Sequence, residues 1–557
     1  MKKSLLKKAV LIYPKFSGET FWSLRKSIEM YVPKNKFGLP RAQSPPLGLL
    51  SICGVLKKYY NVILLDRNVD PRASSLKKLI SDENVCFVAT GGMIGQEEDA
   101  LHIAKVTKEF GKPFVIGGPF VDKKILGKSP LNGMDVIAVE GEAELVIEDI
   151  LKDLLNKNFG TYYEGKHCLA KEFLVPDFSF INPNDYMSMA VQFSRGCPFS
   201  CEFCDITLRF GKGPRYIPEK KINEQFKQLY KLGWRGPIFI VDDNLTAYPS
   251  KAIETLKSVQ KIEKELNHQF PKTTQVSLEL SDDQMKELRN LLRETNFNML
   301  FIGVETNNLE SLKETKKNQN LRGEKTLKEK ISLISRETKA GVMIGIIFGF
   351  DHDTLDSGGS LIEFCNSLPC ATIMAGNMKI VPKTPLWERL VKEDRLNVSN
   401  FGSGNNSDGV FNFIPYNFSV EEGEKKFVEI QKGIYNEKAY FNRLMGQLKI
   451  SGPSMAIPKV SIKESIYSIF KIFTKENARM YRKYLPTAIK IAYNRFGVKG
   501  ITKMGHVIGI YLAMCSRYAH SEFMVHYLEE QVSKRKYEDW QKHSWKEMQE
   551  RKGLLDN

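Results

Sequence analysis

The chain has 557 residues, of which 42% are hydrophobic and 26% charged, with a formal net charge of +17. The length predicts about two to four domains of ordinary globular composition. Its nine cysteines are too scattered for a disulfide framework, and no apolar run of about 18 residues predicts a membrane span. The charge leaves nucleic acid, an anionic membrane or a lysine-rich solvated surface open as explanations.

Residues 7–160 alternate short apolar runs with helical patterns. The charged and apolar opening is too short for a signal peptide and has no small-residue cleavage site, so we expect a first strand there. Strand signals fall at 9–13, 62–65, 85–89, 114–116 and 136–139, and a helical pattern covers 97–110. This alternation is typical of an α/β domain with a doubly wound parallel sheet, whose ligands bind at the carboxyl ends of the strands.

The loops at those strand ends are rich in glycine. Glycine lets a backbone approach a large planar ligand without a side chain in the way. A flavodoxin-like domain that serves packing or binds another ligand is the alternative. The candidate ligand-binding residues are Ser44, Pro45, Leu47, Gly48, Asp66, Gly91, Gly92, Met93, Gly117, Gly118, Gly141 and Glu142.

A loop with three cysteines follows the next strand-like run, at 190–193. Cys197, Cys201 and Cys204 have the spacing C-x3-C-x2-C. Three thiolates can bind three irons of a cubane iron–sulfur cluster and leave the fourth iron open to a chelating ligand. Structural zinc is the alternative, but zinc normally takes four ligands, often from two paired-cysteine motifs. Cys168 or a distant thiol would have to complete such a site.

The cysteine spacing, with Phe203 just before the third cysteine, resembles the radical S-adenosylmethionine (SAM) enzymes. The resemblance implies that a 4Fe–4S cluster binds the amino and carboxylate groups of SAM at its open iron. The reduced cluster then cleaves SAM to a 5′-deoxyadenosyl radical. A cluster-binding enzyme belongs in a reducing compartment, so we expect the cytoplasm.

The same resemblance implies a partial (β/α)6 radical SAM barrel over residues 186–390. Strand signals at 237–241, 275–280, 300–305 and 341–349 agree with it, and 377–386 resembles the closing strand and its Thr-Pro-Leu turn. Acidic strand ends and glycines are also common in barrels that bind nothing there. The implied SAM contacts are Phe203, Asp243, Glu305, Gly345 and Asp351; for Asp351, capping of the following helix is the alternative.

The glycine-rich loops upstream resemble the cobalamin-binding domain that precedes many radical SAM domains, here residues 1–165 followed by a linker at 166–185. Such domains carry the motif Asp-x-His-x-x-Gly when a histidine replaces the lower axial ligand of cobalt. This chain lacks the motif: residues 93–95 occupy its place, and His102 lies on the following helix. The resemblance therefore implies cobalamin without a histidine below the cobalt.

Residues 391–557 form a helical extension without a recognisable metal or nucleophile signature. The apolar run at 501–515 is too short to cross a bilayer, which leaves a buried core helix or an interfacial segment. The domain order, with the segments 13–22, 44–48 and 305–312, resembles a subgroup that includes hopanoid-lipid methylases.

That subgroup implies a methyltransferase acting on an unactivated carbon of a polycyclic or membrane lipid. One SAM would supply a methyl group through cobalamin, and the radical from a second would abstract hydrogen from the substrate. A radical SAM cyclase, oxidase or rearrangement enzyme using cobalamin without methyl transfer is the alternative. Implied partners are a small-molecule or lipid substrate and an electron donor such as flavodoxin or ferredoxin. Peripheral membrane contact is left open, and nucleic acid is not expected because no RNA-binding motif is present.

Overall fold

The computed structural model describes residues 7–16, 42–396, 406–450, 479–497, 501–535 and 537. The segment 17–22, which forms part of the likeness to hopanoid methylases, lies outside these ranges. Two separate six-stranded parallel sheets organise the described chain, one on each side of residues 166–188.

The first sheet has the strand order β2-β1-β3-β4-β5-β6. Its order reverses around β1, as expected for a doubly wound domain. The sequence did not reveal β6, because this edge strand, with the sequence TYYEG, is only half-buried and lacks an apolar run. The strands are β1 (Lys8–Tyr13), β2 (Asn61–Asp66), β3 (Val85–Gly91), β4 (Phe114–Gly117), β5 (Val136–Gly141) and β6 (Thr161–Gly165), and the helices are α1 (Leu47–Leu56), α2 (Ala73–Ile80), α3 (Glu97–Glu109) and α4 (Ile147–Asn156).

The second sheet is the expected partial barrel of six parallel strands. A two-stranded antiparallel ribbon, β8 (Ser194–Arg195) with β9 (Arg215–Tyr216), follows the first barrel strand in the chain. The barrel order, from one edge to the other, is β7 (Met189–Val191), β10 (Ile238–Ile240), β11 (Lys272–Val276), β12 (Phe297–Glu305), β13 (Gly341–Phe348) and β14 (Thr372–Asn377).

Helices follow the barrel strands and cover the outer face of the sheet. Leu300, Ile302 and Val304 of β12 point to this layer and have no exposed surface. The helices of this region are α5 (Ile206–Phe210), α6 (Glu219–Lys231), α7 (Pro249–Glu265), α8 (Lys286–Glu294), α9 (Leu309–Glu314), α10 (Asn318–Leu321), α11 (Leu327–Thr338), α12 (Ser357–Asn366) and α13 (Pro385–Lys392).

Two strand predictions were displaced along the chain. The segment predicted at 275–280 is a strand only up to Val276, and Leu278–Ser281 is a turn of 3-10 helix. The last barrel strand ends at Asn377, so 378–384 is loop rather than strand. In both cases the apolar run continues past the strand because the loop after it is also buried, and a buried loop has the same hydrophobic pattern as a strand.

The first of the four helices that the structure describes in the C-terminal extension packs against the open edge of the barrel, at β14. Gln431 of this helix and Tyr435, which follows it, donate hydrogen bonds to the carbonyls of Ala375 and Ile373 on β14. In the last helix Tyr511 and Cys515 are buried, and no helix in the described ranges could cross a bilayer. The four described helices of the extension are α14 (Val420–Ile434), α15 (Glu437–Ile450), α16 (Arg479–Phe496) and α17 (Ile501–Lys534).

The inner face of the barrel is open and largely apolar. Residues that pair in register between parallel strands lie on the same face of the sheet. Phe301 of β12 is partly exposed on the inner face, so its partners on β11 and β13 lie on that face too. Phe239 of β10 is 37% exposed on this face, so the described side chains do not cover it fully. The described side chains on the inner face include Phe239, Thr273, Gln275, Met299, Phe301, Met343, Ile347 and Met374.

Candidate active site

The three-cysteine loop lies at the carboxyl end of β7 and is held by the neighbouring strand β10. The carboxylate of Asp243 accepts a hydrogen bond of 2.9 Å from the backbone N–H of Gly196. Gly196 has φ of 98°, and a Cβ atom there would lie 2.7 Å from the carbonyl oxygen of Gly213. Only glycine fits this conformation and this close approach. Asp243, which was expected to contact SAM, therefore holds the cysteine loop in position through this hydrogen bond.

The three thiols differ in exposure. Cys201 is buried, whereas Cys197 and Cys204 are half-buried. Burial raises the pKa of the Cys204 thiol to about 12 and also raises that of Cys197, so metal binding would have to displace protons. No three His, Cys, Asp or Glu side chains of the described residues could together ligate a single metal ion. A cubane cluster does not require that, because each of its cysteines binds a different iron.

An ion pair between the buried Glu305 and the half-buried Lys317 lies beside the cysteine loop at the end of β12. Lys317 Nζ is 2.7 Å from Glu305 Oε1, and its ammonium lies 6.0 Å from the ring centroid of Phe203. Burial opposes the charge of Lys317, but the carboxylate of Glu305 raises the Lys317 pKa above its ordinary value. Glu305 itself has φ of 66°, a left-handed conformation that is rare for a non-glycine residue. Glu305 and Phe203 thus both lie beside Lys317, and their roles as SAM contacts stay predictions.

Gly345 and Asp351 each have a structural partner that the sequence did not suggest. A Cβ atom on Gly345 would lie 2.9 Å from the ring of Phe301, so the glycine makes room for that ring. Asp351 pairs with Arg395 and Arg389, and although burial alone would raise its pKa, the guanidinium of Arg395 helps to lower the pKa to about 2. Its role as a SAM contact stays a prediction.

The glycine-rich loops of the first sheet come together at its carboxyl edge. A Cβ atom on Gly118, whose φ is 116°, would lie 2.5 Å from the carbonyl oxygen of Gly92, so these two loops touch through backbone alone. Met93 projects beyond these loops, with 59% of its surface exposed. His102 is also exposed, but it lies on α3. Gly91, Gly117 and Gly141 end their strands at the same edge, whereas Ser44 and Pro45 lie just before α1 and Leu47 and Gly48 are its first two residues.

Two candidate cobalamin residues are already engaged by the barrel. Asp66, buried at the end of β2, accepts a hydrogen bond of 3.1 Å from the hydroxyl of Tyr186. Glu142, just after β5, contacts Arg215 at 2.6 Å and Arg195 at 3.3 Å. Burial opposes the charge of Glu142, but Arg215 lowers the Glu142 pKa to about 2. Both carboxylates thus connect the first domain with the barrel.

The carboxyl edges of the two sheets face each other across these contacts. Arg209, which follows the cysteine loop, donates a hydrogen bond of 2.9 Å to the carbonyl of Pro119 after β4. Lys383, after β14, lies 2.7 Å from Glu140 of β5. These basic residues could not be predicted from the sequence, because a lone lysine or arginine carries no motif. The arrangement places one strand-end face with flat glycine loops opposite another with the three-cysteine loop.

Comparison with known proteins agrees with this geometry. Residues 191–365 match the family model of the radical SAM superfamily, and residues 384–520 match a domain of unknown function, DUF4070. The chain is 30% identical to the uncharacterized methyltransferase sll1242 of Synechocystis sp. over 94% of this chain and 92% of the relative. It is 28% identical to the hopanoid C-2 methylase of Rhodopseudomonas palustris over 63% of this chain and 65% of that relative.

The fold likeness extends over nearly the whole chain. The structure of the cobalamin-dependent SAM radical enzyme OxsB superposes with a TM-score of 0.57 at 13% identity, covering 98% of this chain and 83% of that one. The three-cysteine loop on a partial barrel therefore defines a radical SAM enzyme, as expected. The chain belongs to the radical SAM superfamily and, within it, to the family of the Synechocystis methyltransferase. Its likeness to the subgroup of hopanoid methylases is also confirmed.

Proposed function

We propose that the chain is a cobalamin-dependent radical SAM methyltransferase that acts on an unactivated carbon. The observation that carries this proposal is the opposition of the two strand-end faces, because a methyl donor and a radical source must act on one substrate carbon from close range. The methylases and methyltransferases among the relatives support it.

Cys197, Cys201 and Cys204 would hold the 4Fe–4S cluster. The donor set fits, since three thiols share one loop whose shape is fixed by Gly196 and Asp243. Lys317 places a positive charge beside the loop, which favours an anionic, thiolate-bound cluster. Phe203 packs edge-on against Phe350 at 6.1 Å, which offers an apolar surface next to the cysteines.

The loops after β3 and β4 would hold cobalamin. The glycines of these loops give a surface without side chains. The exposed side chain of Met93 projects from this surface. Met93 would face a planar ring system held there, and no histidine lies in the loop between β3 and α3. When bound, the reduced cluster would supply the electron that cleaves SAM to the hydrogen-abstracting radical, and cobalamin would supply the methyl group.

The substrate would enter the space between the strand-end faces and the apolar inner face of the barrel. Phe239, Phe301, Met299 and Met374 favour an apolar substrate, and flexible methionines adapt to an irregular hydrocarbon shape. We infer a polycyclic or other lipid, which agrees with the methylation of hopanoids by a relative. An electron donor such as flavodoxin or ferredoxin, a cytoplasmic location and peripheral membrane contact complete the proposal.

Anaerobic turnover with methyl-labelled SAM tests the proposal. The protein is reconstituted with iron, sulfide and cobalamin and is given a polycyclic lipid extract. We expect 5′-deoxyadenosine together with labelled lipid, and neither product from the Cys197→Ala, Cys201→Ala and Cys204→Ala variants. Deoxyadenosine without label in any lipid would favour a cyclase, oxidase or rearrangement enzyme. Full turnover by all three variants would contradict the cluster site.

A further inference from the structure

The side chain of Gln319 contacts the sulfur of the middle cysteine. Its amide nitrogen Nε2 lies 3.4 Å from Cys201 Sγ, a hydrogen-bonding distance for a sulfur acceptor. Gln319 is only 3% exposed, and its amide oxygen has no hydrogen-bond partner in the described part of the chain. Burying an amide is costly unless it is hydrogen-bonded, so the contact with sulfur is the interaction that accounts for its position.

The backbone around Gln319 is anchored on both sides. Asn320 donates hydrogen bonds of 3.1 and 2.9 Å to the carbonyls of Gly303 and Val304 on β12. Lys317, two residues before Gln319, is tied to Glu305 at the end of the same strand. These contacts hold α10 against the strand tip, so the amide of Gln319 is presented to the sulfur by a rigid support.

We propose that Gln319 is a positioning residue that tunes the 4Fe–4S cluster through an N–H···S hydrogen bond to Cys201. This inference rests on the proposed function, since it assumes that Cys201 ligates the cluster. Reduction adds negative charge that is shared by the cluster sulfurs, and a hydrogen-bond donor stabilises the more negative state. Gln319 therefore raises the reduction potential and makes the cluster easier to reduce for the electron donor.

The first test compares reduction potentials. The Gln319→Leu variant keeps the side-chain volume but removes the donor. The Gln447→Leu variant is the matched control, because Gln447 is 1% exposed and its amide oxygen accepts a bond from the backbone of Ala371. Each protein is reconstituted anaerobically, its iron and sulfide are counted, and the reduced cluster is titrated by electron paramagnetic resonance.

We expect a full cluster in both variants. The equilibrium constant for one-electron reduction falls about tenfold in Gln319→Leu, which corresponds to a potential lower by about 59 mV. The Gln447→Leu variant keeps the potential of the unmodified protein. An unchanged potential in a fully loaded Gln319→Leu variant overturns the inference.

The second test uses only the unmodified protein, so it does not depend on whether a variant folds. The unmodified protein is prepared with glutamine labelled by 15N at the side-chain amide, and pulsed paramagnetic resonance of the reduced cluster records the 15N coupling. We expect a coupling, and its absence overturns the inference while leaving the proposed function intact. An unmodified protein that assembles no 4Fe–4S cluster overturns the proposed function, and the inference with it.

Discussion

Neighbouring residues at one strand end hold different parts of the cysteine loop. Asp242 accepts hydrogen bonds from the N–H of Phe193 at 2.7 Å and from the hydroxyl of Ser194 at 2.6 Å, whereas Asp243 accepts from Gly196. The sequence indicates a polar strand tip here but not its partners, because those lie more than forty residues away in the chain. At this scale, the residue types of the site are predictable and their pairings are not.

Replacing Gly196 by alanine should impair cluster assembly. The alanine Cβ would meet the carbonyl of Gly213, and φ of 98° is unfavourable for any residue with a Cβ, at a cost of about 1–3 kcal/mol. We expect reduced iron content per chain after reconstitution. The control is Gly127→Ala, since nothing lies within 4 Å of a Cβ there. Equal iron content in both variants would contradict the prediction.

The stability contributed by Asp242 should depend on pH. Burial raises the pKa of Asp242 to about 7 from an ordinary value near 3.8, so between these values the folded protein binds more protons than the unfolded chain. The contribution of Asp242 to the free energy of unfolding therefore falls as pH rises through this window. We expect the difference in stability between the unmodified protein and Asp242→Asn to shrink or reverse from pH 4 to 7. A difference that is constant with pH would contradict this.

Among the elements, β11 and α7 are joined by a fully buried ion pair. Lys272 Nζ lies 2.6 Å from Glu263 Oε1, with side-chain exposures of 0% and 3%. The sequence predicted most strands of both sheets within a few residues, because buried parallel strands are continuous apolar runs. It placed the start of β11 too late, since a run that opens with Lys272 and two threonines does not look buried.

The Glu263→Gln variant should be strongly destabilised. It leaves the Lys272 ammonium in the core without a counter-charge, which costs about 3–5 kcal/mol in the free energy of unfolding. The exposed pair Lys257–Glu287, with 57% and 58% side-chain exposure, provides the control. We expect Glu287→Gln to change stability by less than about 1 kcal/mol in denaturant unfolding. Similar losses in the two variants would show that burial of the pair is irrelevant.

At the scale of the whole molecule, a few charged contacts set the first domain against the barrel. Arg195 and Arg215 meet Glu142, and both guanidiniums lie over the ring of Phe173, at 4.3 and 5.2 Å from its centroid. The sequence predicts the first domain and the barrel, and the cluster, SAM and cobalamin as their ligands, through family resemblance. It does not predict their mutual placement, because an interdomain contact leaves no periodic pattern.

The Glu142→Ala variant should loosen the two domains. Two half-buried arginines lose a shared carboxylate, and the resulting penalty falls on the interface rather than on either core. We expect the single calorimetric unfolding transition to broaden or split. Lys383→Ala removes a contact whose lysine side chain is 63% exposed, and it should leave the transition unchanged. A sharp single transition in the Glu142→Ala variant would contradict the prediction.

The helix α13 has a consequence for any attempt to reduce this enzyme to a minimal core. The backbone N–H of Leu386 and the guanidinium of Arg389 both reach Glu202, which lies between the second and third cysteines. The helix belongs to the segment matched by DUF4070, so this segment directly supports the cysteine loop. A fragment cut after β14 would retain every cysteine of the motif yet lose the brace, and it should be a poor scaffold for cluster chemistry.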